Sequence, residues 1–84
     1  MGSLQCGQVR FVAYPGDHEP RHVHGFAGAS EAIVDLQRNG VAVLARRKKA
    51  VKPANAKRSD VRNILTAAQR HFDELVQLWE AMHE

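Results

Sequence analysis

The feature that most restricts this chain is a change of apolar rhythm at Ser59. Beyond it, Val61, Leu65, Ala68, Phe72, Leu75, Trp79 and Met82 recur at spacings of 4, 3, 4, 3, 4 and 3, which is one face of a helix. Ser59 suits the N-cap and Asp60 the positive end of the helix dipole, so the spacing predicts a helix from about Asp60 to about Met82. Before Ser59 the pattern is different: short β-branched and aromatic runs separated by Gly, Pro and Asn. An 84-residue chain has room for one core only, so the strands and the helix must share it. The expected class is α+β.

Four strands are expected. "QVRFVAY" (8–14) is followed by the turn cluster "PGDHEP", and "RHVHGFA" (21–27) turns through residues 28–29 into "SEAIVDLQR" (30–38). Asn39-Gly40, the strongest hairpin signal in the chain, leads into "VAVLAR" (41–46). The expected architecture is a four-stranded antiparallel meander with one C-terminal helix packed on one face. Residues 1–7 are read as a frayed end, 8–46 as the sheet, 47–58 as a basic connecting loop and 59–83 as the helix. A hairpin meander alone is marginal in water, so the helix must cover one face.

Two-residue turns fix an expected register. Ala27 then pairs with Ser30, Val23 with Val34 and Gly25 with Ala32. The Asn39-Gly40 turn sets Leu36 against Val43 and Val34 against Ala45. These small apolar residues suit a helix-covered face. The other face holds His22, His24, Phe26, Glu31, Ile33, Asp35, Leu44 and Arg46, with His22 across from Asp35. Its apolar members make that face the better surface for a homodimer.

The stretch "DHEPRHVHG" (17–25) holds three of the five histidines. At a strand period of two, His22 and His24 point the same way, about 7 Å apart. His18 in the preceding loop could fold back to them, with Asp17 and Glu19 alongside. Imidazole suits zinc and other divalent transition metals, so His18, His22 and His24 are candidate metal ligands. The same rings could do acid–base chemistry, with His22 and His24 catalytic and Asp35 orienting His22. The plainer alternative is a turn and strand whose histidines are hydrogen-bonded to backbone.

Positive charge is concentrated in "RRKKAVKPANAKR" (46–58), which has seven basic residues and no acid. Arg46, Arg47, Lys48, Lys49, Lys52, Lys57 and Arg58 could follow a phosphate backbone, with binding that weakens as salt rises. The alternative is a solvated connector. One cysteine, Cys6, excludes an internal disulfide and an all-cysteine zinc site. No apolar run reaches the ~20 residues of a membrane helix, and "MGSLQC" lacks the features of a secretory signal. A small domain without disulfides is expected in a reducing cytoplasm.

The residues Asp17, His18, Pro20, His22, Val23 and His24 resemble the signature of a small bacterial family of unknown function, approximately Asp-His-x-Pro-Pro-His-Val-His-Val. The strand before the signature, the strands after it and a helical end with a Trp are similar as well. Three departures stand out: Arg21 replaces a proline, Gly25 replaces an apolar residue, and 46–58 is unusually basic. Members of that family often sit in toxin–antitoxin-like gene pairs. The resemblance therefore implies a binding component with a protein partner, and nucleic acid as a further one. A small metal-assisted or histidine-based hydrolase, such as a ribonuclease with Arg46 or Arg47 on the phosphate, is the enzymatic alternative. A purely structural metal site is the third.

Overall fold

The computed structural model describes residues 2–83. The fold is α+β, an antiparallel sheet with two helices at its C-terminal end. In chain order the elements are β1 (Gly2–Cys6), β2 (Val9–Ala13), β3 (His22–Ala27), β4 (Ser30–Leu36), β5 (Ala42–Leu44), β6 (Val51–Lys52), α1 (Arg58–Arg70) and α2 (Phe72–Met82). The sheet order is β1-β2-β3-β4-β5, with β6 also paired to β4.

The expected count of four strands and one helix is therefore corrected at both ends. Gly2–Cys6, read as a frayed end, pairs with β2 through a turn at Gly7 and Gln8, where Gly7 adopts φ +61°. Its Ser, Gly and Gln residues carry little strand preference, so pairing with β2 rather than propensity makes it a strand. The single helix is bent at His71 (φ −108°, ψ 27°). Backbone bonds still run through the bend, from His71 N–H to Ala67 O and from Leu75 N–H to His71 O. The bend lets α1 lie on β3, β4 and β5 while α2 reaches β1 and β2. Helix α1 starts at Arg58 rather than at Asp60, and no side chain caps it. Asp60 instead accepts a 2.9 Å bond from the Ser30 hydroxyl and ties the helix to the β3–β4 turn.

The first hairpin has the expected register: Ala27 opposite Ser30, Gly25 opposite Ala32, Val23 opposite Val34 and His22 opposite Asp35. The second does not. Leu36 pairs with Ala42, and Val34 with Leu44. Gln37 N–H donates to Val41 O, and Gly40 has φ +86°. The loop is thus three residues, Arg38 to Gly40, with glycine in the left-handed position. A one-residue slip exchanges the faces of a strand. Leu44 therefore joins the helix-side core, where Ala45 was expected, and Ala45 moves to the histidine side. Gln69 of α1 holds this loop, accepting from Ala42 N–H and donating to Gly40 O at 2.9 Å each.

The helix-side core comprises Phe11, Val23, Ala32, Val34, Leu36, Ile64, Ala68 and Leu75 with their neighbours. Ile64, outside the seven-residue stripe, is fully buried. A Cβ at Gly25 would collide with Ile64 and touch Phe11. The departure from an apolar residue at this position therefore makes room for α1 to approach the sheet.

Candidate metal centre

His22 opens β3 and His24 follows two residues later, so the strand alternation turns both rings to the face opposite Val23 and Gly25. Their centroids are 5.5 Å apart. The loop after β2 returns Asp17 to the same spot. Its Oδ2 lies 3.2 Å from Nε2 of His22 and 3.2 Å from Nε2 of His24. The three ligand atoms all lie within 4.8 Å of one another. For metal–nitrogen bonds of about 2.0–2.1 Å, neighbouring ligand atoms in a tetrahedral shell are about 3.3 Å apart. The two contacts of Asp17 already match that spacing, and small side-chain rotations would close the third.

The other ring nitrogens are also engaged. His22 Nδ1 donates to Pro20 O at 2.8 Å, so that in a neutral ring Nε2 carries the lone pair, 3.2 Å from Asp17 Oδ2. His24 Nδ1 lies 3.3 Å from Glu31 Oε2. Each of the four imidazole nitrogens thus has an oxygen within 3.3 Å, and three of these contacts have hydrogen-bond geometry. A cation between the rings and Asp17 would give these converging atoms a shared positive partner. Backbone-carbonyl and carboxylate partners on the far nitrogen are what orient metal-ligating histidines.

Burial is uneven across the group. His22 is 2% exposed, whereas the side chains of His24 and Asp17 retain 15% and 24% exposure. Trp79 meets the His22 ring at 5.3 Å, and Tyr14 stands edge-on to His24 at 4.9 Å. The histidine pair does lie on the sheet face away from α1. His22 is the more enclosed of the two because Trp79, in the last turn of α2, lies against it.

The sequence-derived candidates fare differently. His22 and His24 come together as read. His18 is exposed and lies outside the cluster, and Asp17 stands in its place. Asp35 has the expected register opposite His22, but both His22 nitrogens face other partners, so Pro20 O is the orienting group. Asp35 keeps one buried oxygen, Oδ1, without a hydrogen bond.

Two further residues belong to the site. Glu31, which strand alternation places on the histidine face, backs His24. His83 bridges Trp79 O and Asp17 O at 2.8 Å each and stacks on Trp79 at 3.6 Å. No periodicity could reveal a contact across 66 positions. Cys6 contributes no reactive thiolate, since burial, and then the Glu74 carboxylate, hold its thiol above the usual range.

Residues 47–58 were expected as a connecting loop, and they are partly ordered into the sheet. Ala45 N–H donates to Ile33 O at 2.9 Å, and Ile33 N–H donates to Ala50 O at 2.8 Å. Strands β5 and β6 are therefore two pieces of one edge, interrupted by an outward excursion of Arg46, Arg47, Lys48 and Lys49. Ala45 and Ala50 bury Ile33. That removes much of the apolar surface expected to form a homodimer. Phe26 remains half-buried, with the Arg10 guanidinium over its ring.

Among the described residues no helix is long and apolar enough to cross a membrane. No curated protein and no solved structure shows a significant match to the chain. A family model described as a domain of unknown function (DUF4160) matches residues 8–80, which takes in strands β2 to β6, the Asp17–His24 cluster and nearly all of both helices. The chain therefore belongs to the DUF4160 family.

Proposed function

We propose that this protein is a divalent transition-metal-binding domain whose ligands are Asp17 Oδ2, His22 Nε2 and His24 Nε2. The observation that carries the reading is the convergence of these three atoms within 4.8 Å, with the far ring nitrogens engaged by Pro20 O and Glu31 Oε2. A 2+ ion joins the Asp17 loop to β3. Two imidazoles and one carboxylate suit zinc, iron, nickel or copper better than calcium or magnesium. Three protein ligands leave a position for water or another group. Glu31 and Pro20 O hold the rings from behind. The toxin–antitoxin-like role rests on the resemblance alone, and the hydrolase reading on residue types alone.

Titration of the full chain with Zn2+ and with Ni2+ tests the proposal. NMR should show saturable 1:1 binding with shifts centred on Asp17, His22 and His24, and Ni2+ should quench Trp79 fluorescence. Asp17→Ala and His24→Ala, checked for fold by circular dichroism, should each lose binding. Unchanged spectra at large metal excess, or Asp17→Ala binding like the parent, would refute it.

A further inference from the structure

We propose that the Arg46–Lys49 excursion, flanked by Lys52, is a docking surface for the phosphate backbone of duplex nucleic acid. The proposal stands apart from the metal reading.

Three local preferences are broken in this segment, each in favour of positive charge. Four consecutive cations repel one another on a short turn whose stem is fixed to Ile33 on both sides. Lys49 adopts φ +63°, a left-handed conformation that glycine or asparagine would take more readily. Lys57 and Arg58 begin α1, where the helix dipole disfavours cations, with no side-chain cap. Among the described residues, none of the seven basic side chains of 46–58 has a carboxylate within 4.0 Å. All seven are exposed. Sites where a sequence overrides its own local preferences are where function is expected.

The surroundings select the partner. Between 46 and 58 the exposed side chains are these cations with Pro53, Ala54 and Asn55. A protein interface needs apolar or aromatic anchors, and none is exposed between 46 and 58. Anionic lipid would attract the same cations, so vesicles are an arm of the test. Single strands are held by aromatic stacking, and the segment has no aromatic residue. Regularly spaced phosphates require only fixed, unpaired cations, whose binding is driven by counterion release. The excursion leaves the sheet beside Ile33, the register partner of His24. Two strand spacings, about 10 Å, separate it from the histidine strand.

The test is fluorescence anisotropy of the full chain with a mixed-sequence 20-base-pair duplex across a salt series. Four phosphate contacts predict a slope of log affinity on log salt near about −3.6, or roughly a 100-fold loss from 50 to 200 mM. Arg47→Gln should shallow the slope by about 0.9. The quadruple variant R46Q/R47Q/K48Q/K49Q, checked for fold by circular dichroism, should abolish most binding. The proposal fails if the parent does not bind at 50 mM salt, if the slope is near zero, or if the quadruple variant binds like the parent. Tighter binding to a single strand, to poly-glutamate or to anionic vesicles would also overturn it.

Discussion

The loop that carries Asp17 and the excursion that carries Arg46–Lys49 are both departures from the sheet, and they are handled in opposite ways. The first turns inward. Its carboxylate meets two imidazoles, Pro20 O orients one ring, and His83 clasps the loop to the end of α2. The second turns outward, with its stem bonded to Ile33 and, among the described residues, no carboxylate within 4.0 Å of its charges. Side-chain chemistry explains the contrast. A flat imidazole can be buried when both nitrogens are hydrogen-bonded, whereas an ammonium or guanidinium group loses too much hydration to be buried unpaired. One region keeps its polar partners within the protein, and the other presents its charge to the outside.

The strongest way to break this contrast is Trp79→Ala. Trp79 is nearly fully buried against His22 and His83, and its loss should cost about 3–5 kcal/mol. Thermal denaturation should show a fall of more than about 12 °C, and metal affinity should drop with it. Duplex binding by the fraction that stays folded should not change. If Tm barely moves, the inward region is not held by the end of α2.

Gly25→Ala probes the sheet beneath both regions. The added methyl meets Ile64 and Phe11, and overpacking should cost about 1–3 kcal/mol in chemical denaturation. An unchanged midpoint would mean that α1 does not lie close to β3. The smallest effect is expected at Lys49→Gly. Relief of the left-handed backbone should offset the added flexibility of glycine and leave a gain on the order of a few tenths of a kcal/mol. Duplex affinity should nevertheless fall. Lower stability in this variant would show that the Lys49 side chain contributes to the fold rather than to a surface.

Legibility followed the range of the interactions. The Gly28-Ala29 turn gave the register of β3 on β4, and with it the shared face of His22 and His24. Asn39-Gly40 marked a hairpin correctly but fits both two- and three-residue loops, and the bonds from Gln69 of α1 accompany the longer one. The helical stripe located the apolar face of both helices, yet it passed over Ile64 and gave no sign of the bend at His71. Residues 46–58 read as basic, while the bonds that fold their stem into the sheet edge run to Ile33, outside any local pattern. The choice of Asp17 over His18 was equally hidden, since adjacent loop residues differ in direction only once the loop is closed.

By itself the sequence determined the α+β class, the alternation that sets two histidines on one face of β3, and the concentration of positive charge before α1. These follow from local geometry, because strand period, helix period and composition are properties of short stretches. Tertiary structure decided which carboxylate reaches the histidines, which of the two rings stays open to solvent, and that the basic turn is braced rather than loose. Those outcomes depend on contacts between distant residues, whose distances are set only when the sheet and both helices pack together.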